Sequence, residues 1–318
     1  MIRLSKYIPM FVLPSLFLTA CGGGSPRTTG GNSTITATAV HKITMPQPPS
    51  VLSDDDKLTY VVERYWNSFD FADSTWLCDT AALEQAFADW AYLLGNIPAS
   101  EASEYPGMLI RKSEQSPSML LRLAELAEKY FADPNSPYRS EELFIPVLEA
   151  VIAAPGLDTL CKLRPRSLLA SALKNRPGET AADITYTTAG GTAGTLHGVR
   201  ADYTLLMFYN PGCPECARIE TYIPQSEVFA PLVASGAMKV LAVYPDEDLA
   251  AWREHLPQMP SGWIVGHRVT GRDAGSPYDL PAIPSLYLLD KGKRVILKDA
   301  PVERIEAWLS EHANPQIH

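Results

Sequence analysis

The chain is 318 residues long, more than one domain ordinarily holds and a comfortable length for two. With 46% hydrophobic and 20% charged residues it has the makeup of globular domains, which excludes an extended disordered chain. The net charge is −9, and becomes about −11 once Arg3 and Lys6 are set aside with a leader; no nucleic acid is expected as a partner of so acidic a protein.

Arg3 and Lys6 form a positive n-region, Tyr7 to Thr19 a short apolar h-region, and Leu18-Thr19-Ala20-Cys21 has the form of a bacterial lipobox. So brief an apolar stretch does not span a bilayer as a permanent helix and fits a secretory signal over residues 1–21. Cys21 then becomes a lipidated N-terminus that holds the protein to a membrane; the alternative is an ordinary signal peptide with an incidental cysteine. Residues 22–53 open with Gly22-Gly23-Gly24-Ser25-Pro26, are rich in Thr, Ser and Pro, and carry no apolar periodicity, so they read as a flexible tether.

From Asp54 the spacing turns helical. Asp54, Asp55 and Asp56 precede Leu58, Val61, Val62, Tyr65 and Trp66, which puts acidic residues at a helix start and apolar ones on one face. Asp79 or Thr80 caps a second helix carrying Leu83, Phe87, Trp90, Leu93 and Leu94 and ended by Gly95. Ser116-Pro117 opens a third with Leu120, Leu121, Leu123, Leu126 and Phe131, stopped near Asp133-Pro134, and Glu141–Ala153 and Ser167–Leu173 supply two more. Residues 54–175 are therefore expected to form an all-α domain of about five helices whose function its pattern does not disclose. Its aromatics Tyr65, Trp66, Trp76, Phe87, Trp90 and Tyr130 fit a core better than a substrate groove. Asp70, Asp73 and Asp79 lack the glycine and terminal glutamate of a calcium loop and read as a solvated acidic face.

Asn175 to Gly178 forms a Pro/Gly junction, after which Ile184–Thr187 and Gly194–Leu196 flank Gly190-Gly191 as a small hairpin. Tyr203–Tyr209 is short, apolar and aromatic, a buried strand, and the residues from Cys216 on suit a helix. Between them lies Asn210-Pro211-Gly212-Cys213-Pro214-Glu215-Cys216. A thiol at a helix N-terminus meets unpaired amides and the positive end of the dipole, which lower its pKa. Cys213 is therefore the expected nucleophile, and Cys216, one turn on, the resolving thiol that attacks a mixed disulfide on the first sulfur. Pro224 should bend or end the helix; Met238–Tyr244 is a second buried strand, Leu249–Leu256 a helix, and Trp263–Val265 a short strand. Ala282-Ile283-Pro284-Ser285 then leads into strand Leu286–Asp290, a turn at Lys291–Lys293, strand Arg294–Leu297 and an amphipathic helix Val302–His312. A proline at the mouth of a strand needs a reason, and a cis bond beside an active site is one.

With both motifs in hand, roughly residues 180 to 315 resemble the thioredoxin fold, and especially the periplasmic thiol-disulfide oxidoreductases of the TlpA and ResA type. The resemblance implies an α/β thioredoxin-like domain over 180–318, preceded by the all-α domain. It implies a cis Pro284 packed beside the nucleophilic sulfur, with Cys213, Cys216 and Pro284 catalytic and Ile283, Pro214 and Glu215 contacting substrate. Lipobox, helical region and thioredoxin-like end together resemble an architecture of Bacteroidetes envelope lipoproteins in which a helical domain of unknown function precedes the thioredoxin part. In such lipoproteins an acidic cluster behind the lipidated cysteine resembles a surface-export signal; none follows Cys21, so a periplasm-facing anchor is expected.

Two residues set the expected chemistry. Glu215, between the cysteines, either raises a thiol pKa by repulsion, which would make the pair a reductant, or faces solvent and is screened. Thioredoxin carries a buried acid on the strand before its motif; here Leu205-Leu206-Met207-Phe208 has none, which leaves Glu220, one turn past Cys216, as the candidate base. His197 and His267 have no ligand partner at metal spacing. Cys78 and Cys161 form a structural disulfide or are small buried core residues. Too few ligands surround the cysteine pair for zinc, and no Thr-x-x-Cys peroxidatic motif is present, so neither metal nor cofactor is expected. The expectation is a membrane-anchored reductant of disulfides in envelope proteins, recharged by an upstream thiol electron donor. The competing one is an envelope binding protein whose thioredoxin-like part is scaffold.

Overall fold

The computed structural model describes residues 41–268 and 276–313. The leader, Cys21 and the first part of the expected tether lie outside the described residues. Within the remainder of that tether, Ile43 is buried in the helical core and the His41 ring bonds Asp79 and Thr75, so packed chain begins ahead of Asp54.

Eight α-helices make up the first half among the described residues, the sixth continued by a π-helical turn at Glu128–Ala132: α1 (Asp54–Arg64), α2 (Thr75–Cys78), α3 (Thr80–Leu94), α4 (Ala99–Ala102), α5 (Glu104–Lys112), α6 (Pro117–Ala127), α7 (Glu141–Ala153) and α8 (Leu163–Ala172). Asp79, one of the two caps the sequence offers, accepts the Ala82 amide at 3.2 Å, while α1 is capped by Ser53, inside the expected tether, which accepts the Asp56 amide at 3.1 Å. Five helices are too few chiefly because of α5, whose Pro106 and Gly107 read as a loop. Both sit in its first turn, where a proline costs no hydrogen bond. Gly107 also crosses α7 so closely that a β-carbon there would come within 2.9 Å of the Pro146 carbonyl oxygen. The helix expected from Ser167 starts at Leu163, with Pro165 in its first turn. Trp66, Trp76, Phe87, Trp90 and Tyr65 are buried together as core. Asp70 and Asp73 accept nearby amides as loop caps. Both readings of the two spare cysteines need correcting: each is a free thiol, Cys161 half-buried and Cys78 exposed at the end of α2.

The second half is one seven-stranded sheet ordered β2-β1-β5-β4-β3-β6-β7: β1 (Thr185–Thr188), β2 (Ala193–Thr195), β3 (Tyr203–Phe208), β4 (Met238–Tyr244), β5 (Ile264–Arg268), β6 (Ser285–Leu289) and β7 (Val295–Lys298). β3 pairs in parallel with β4 and antiparallel with β6, and apart from Thr204 is apolar or aromatic because both its faces are covered. Leu205 and Met207 face a core shared with α9 (Pro214–Gln225), α10 (Phe229–Ala234), α11 (Leu249–His255) and α12 (Val302–His312). Leu206 and Phe208 face a second core with Ile184, Leu196 and Tyr278. The short α10 is additional to the sequence reading. The β1–β2 hairpin docks antiparallel on β5, a pairing between distant segments that local pattern does not reveal.

The halves meet along β7 and α7. Lys298, its side chain only 7% exposed, pairs with Glu141 and donates to the carbonyls of Ala172 and Lys174. Arg139 pairs with Asp299, and Arg176 grips Glu142. No helix among the described residues is long and apolar enough to cross a membrane.

Candidate redox site

The site forms where central β3 hands over to α9. Gly212 makes the turn with φ +76°, a conformation that costs glycine little, and Cys213 follows in extended backbone as the N-cap of α9. The Cys216 amide donates to the Cys213 sulfur at 3.2 Å, so the thiol takes the place a capping Ser or Asp oxygen would fill. Pro214 occupies the first helical position, where its fixed φ is favourable and its missing N–H is not needed. The loop before β6, the antiparallel neighbour of β3, brings Ile283: the Cys213 thiol lies 3.7 Å from the Ile283 carbonyl oxygen, and the Ile283–Pro284 bond is cis. Cys213 is half-buried and faces the loop, while Cys216 is 1% exposed. Burial pushes the Cys216 thiol well above the ordinary range, assisted by its bond with Cys213 and the nearby charge of Glu220, with the Asn210 backbone opposing.

Of the two expectations for Glu215, the geometry matches the solvent-facing one. Its carboxylate faces solvent and is clasped by Arg218 at 2.6–3.0 Å, and Arg218 continues to Glu303 of α12 at 2.8 Å. The guanidinium holds the Glu215 carboxyl below its usual range, so its charge is spent sideways along the helix. Pro214 and Glu215 are exposed on the first turn, and Ile283 and Pro284 stand opposite.

Beneath Cys216 lies the arrangement that sequence reasoning only half found. Glu220, four residues further on the same helix face, is buried, and His255 from the end of α11 is buried with it; His255 Nε2 stands 3.2 Å from both carboxylate oxygens. The Tyr209 ring packs against His255, and the Tyr209 hydroxyl accepts the Trp252 indole N–H at 3.0 Å. His255 follows Trp252 by three residues on an amphipathic helix, which was the one local signal that it turns inward. His267 instead packs edge-on against Trp252, and His197 bonds the Ala181 carbonyl on the sheet's other side.

Comparison with known proteins follows this geometry. A family model described as a domain of unknown function (DUF5106) matches residues 23–175. No curated protein matches the chain. The C-terminal domain of an uncharacterised protein from Bacteroides fragilis is 42% identical over 43% of this chain and 98% of its own, with a TM-score of 0.41. The thioredoxin domain of a thiol-disulfide oxidoreductase from Bacteroides vulgatus is 18% identical over 44% of this chain and 99% of its own, with a TM-score of 0.39. A thioredoxin-like protein from Bacteroides caccae is 37% identical, with a TM-score of 0.81, across 86% of this chain and 99% of its own. On that match, which takes in helical and sheet halves alike, the chain belongs to the family of this thioredoxin-like protein.

Proposed function

We propose that the protein is a thiol-disulfide oxidoreductase of the TlpA and ResA type, anchored in the cell envelope through Cys21 and reducing disulfides of envelope proteins. One observation carries the chemistry: a reachable thiol, Cys213, caps a helix N-terminus 3.7 Å from the carbonyl oxygen before a cis proline, with a second thiol buried one turn behind it.

The steps balance as a two-electron exchange. Cys213, as thiolate, attacks one sulfur of the substrate disulfide; the partner sulfur leaves as thiolate and takes up a proton. Cys216 then gives its proton to the Glu220–His255 pair and attacks the Cys213 sulfur. The substrate's second sulfur leaves, is protonated, and the substrate departs as a dithiol. Cys213–Cys216 is now a disulfide, and a thiol donor must return two electrons and two protons. Burial keeps Cys216 protonated until that moment, which suits a resolving thiol and not an attacking one.

The test is the redox equilibrium of the pair in thiol buffers, read by alkylation, with Cys78→Ala and Cys161→Ala so that one pair reports. A reversible transition near the roughly −270 mV of thioredoxin supports a reductant. A pair that resists reduction throughout returns the thioredoxin-like half to a scaffold. Fatty-acid labelling that persists in Cys21→Ala would count against the anchor.

A further inference from the structure

A cavity of about 680 Å³ opens beside the redox site, within the size range of binding clefts. One wall belongs to the thioredoxin-like half, with Glu215, Ile283 and Pro284 at the end nearest the sulfur. The helical half contributes further lining, with Ser100 from α4 and Asn135 from the loop between α6 and α7. The same loop that lies against Cys213 thus lines a cleft that is also lined by the helical half.

The charges in this cleft are unevenly settled. Arg139 is matched by Asp299, Lys298 by Glu141, Arg176 by Glu142 and Arg218 by Glu215, each in an ion pair. Arg304, on the first turn of α12, lines the cavity, is exposed, and its side chain has no ion pair or hydrogen bond among the described residues. An unpaired guanidinium among neutralised neighbours is a point of recognition for a carboxylate, because it can form a bidentate bond without breaking an existing one.

We propose that the cleft seats the stretch of substrate polypeptide next to the disulfide under attack, and that it prefers an acidic side chain placed against Arg304. The helical half is then a specificity wall: it excludes folded surfaces too broad to enter and admits an extended or looped segment. This rests on the redox reading of Cys213. Continuity decides the occupant, since Ile283 and Pro284 belong to the sulfur's surroundings and to the cleft wall at once.

The experiment uses the full chain and two synthetic disulfide peptides alike except that aspartates or lysines flank the cysteines, with a small aromatic disulfide as reference. The acidic peptide is expected to have about tenfold the kcat/KM of the basic one, a preference that shrinks with salt and reverses in Arg304→Glu. Asn135→Trp and Ser100→Trp, two bulky additions from separate elements, are expected to lower the ratio of peptide to small-disulfide kcat/KM about tenfold by narrowing the cleft. Binding of the acidic peptide with serines for cysteines is measured in parallel by calorimetry. If flank charge makes no difference in either assay, or neither tryptophan changes the ratio or the binding, the cleft is not the substrate seat. Peptide binding that depends on Arg304 in a protein that reduces nothing would uphold the cleft and overturn the redox reading instead.

Discussion

His255 Nε2 lies equidistant, at 3.2 Å, from the two carboxylate oxygens of Glu220, and both side chains are buried under Cys216. In the proposed exchange Cys216 loses its proton at one step, and this buried pair is the acceptor we propose for it. If that is their role, Glu220→Gln and His255→Gln slow resolution more than attack. A mixed disulfide through Cys213 should then accumulate under quench, and kcat should fall by about two orders of magnitude. Equal slowing of both steps, or no trapped intermediate, would falsify the assignment.

The Cys216 thiol gives a dependence on pH. In Cys213→Ser, ionisation followed by thiolate absorbance is expected only above the ordinary thiol range of about 8.5, because burial and Glu220 both disfavour the anion. Glu220→Gln removes the second cause and moves the transition downward. In the reduced protein a thiol that holds its proton longer when folded than when unfolded makes folding less favourable as pH rises past that ordinary range, so urea midpoints should decline there. An alkaline decline that is unchanged in Cys216→Ala would rule this cause out.

At the seam, burial raises the Glu141 carboxyl above its usual range even though Lys298 beside it pulls the other way. Lys298→Met leaves that carboxylate buried without its cation, at a cost of about 3–5 kcal/mol. Since a protonated Glu141 needs no partner, the variant should regain part of the loss as pH falls through the carboxylate range. Denaturation at several pH values measures both effects; a loss independent of pH would show that Glu141 is not its source.

Gly107 offers a purely steric test. A β-carbon there would stand 2.9 Å from the Pro146 carbonyl oxygen and 3.0 Å from its Cβ, so Gly107→Ala must push α5 from α7. The expected destabilisation is about 1–3 kcal/mol by chemical denaturation, with the redox potential unmoved. A neutral substitution would mean that the two helices slide apart freely.

How much could be read ahead of the fold depended on distance along the chain. The strand, glycine turn and Cys213-x-x-Cys216 helix start are contiguous, and the proline loop announces itself by breaking an apolar run at Pro284. Glu220 was legible only as an acid one turn past Cys216, because its partner His255 lies 35 residues away on another helix. Glu215 was left between two readings for the opposite reason: its neighbours in sequence are thiols, yet its neighbours in space are Arg218 and, through it, Glu303. In the helical half, Pro106 and Gly107 hid α5 by carrying loop propensity in a place where packing against Pro146 overrides it.

Lys298 also settles the mechanics of the molecule. Its ammonium is tied to a carboxylate of α7, to the carbonyl of Ala172 at the end of α8 and to that of Lys174 just beyond it, while its backbone belongs to the last strand of the sheet. Swinging one half away from the other would strand that ammonium away from all three acceptors. On the proposed reading of the cleft, these ties hold the walls on either side of Pro284 together, and a disulfide borne on a segment slender enough to pass between them is the one favoured.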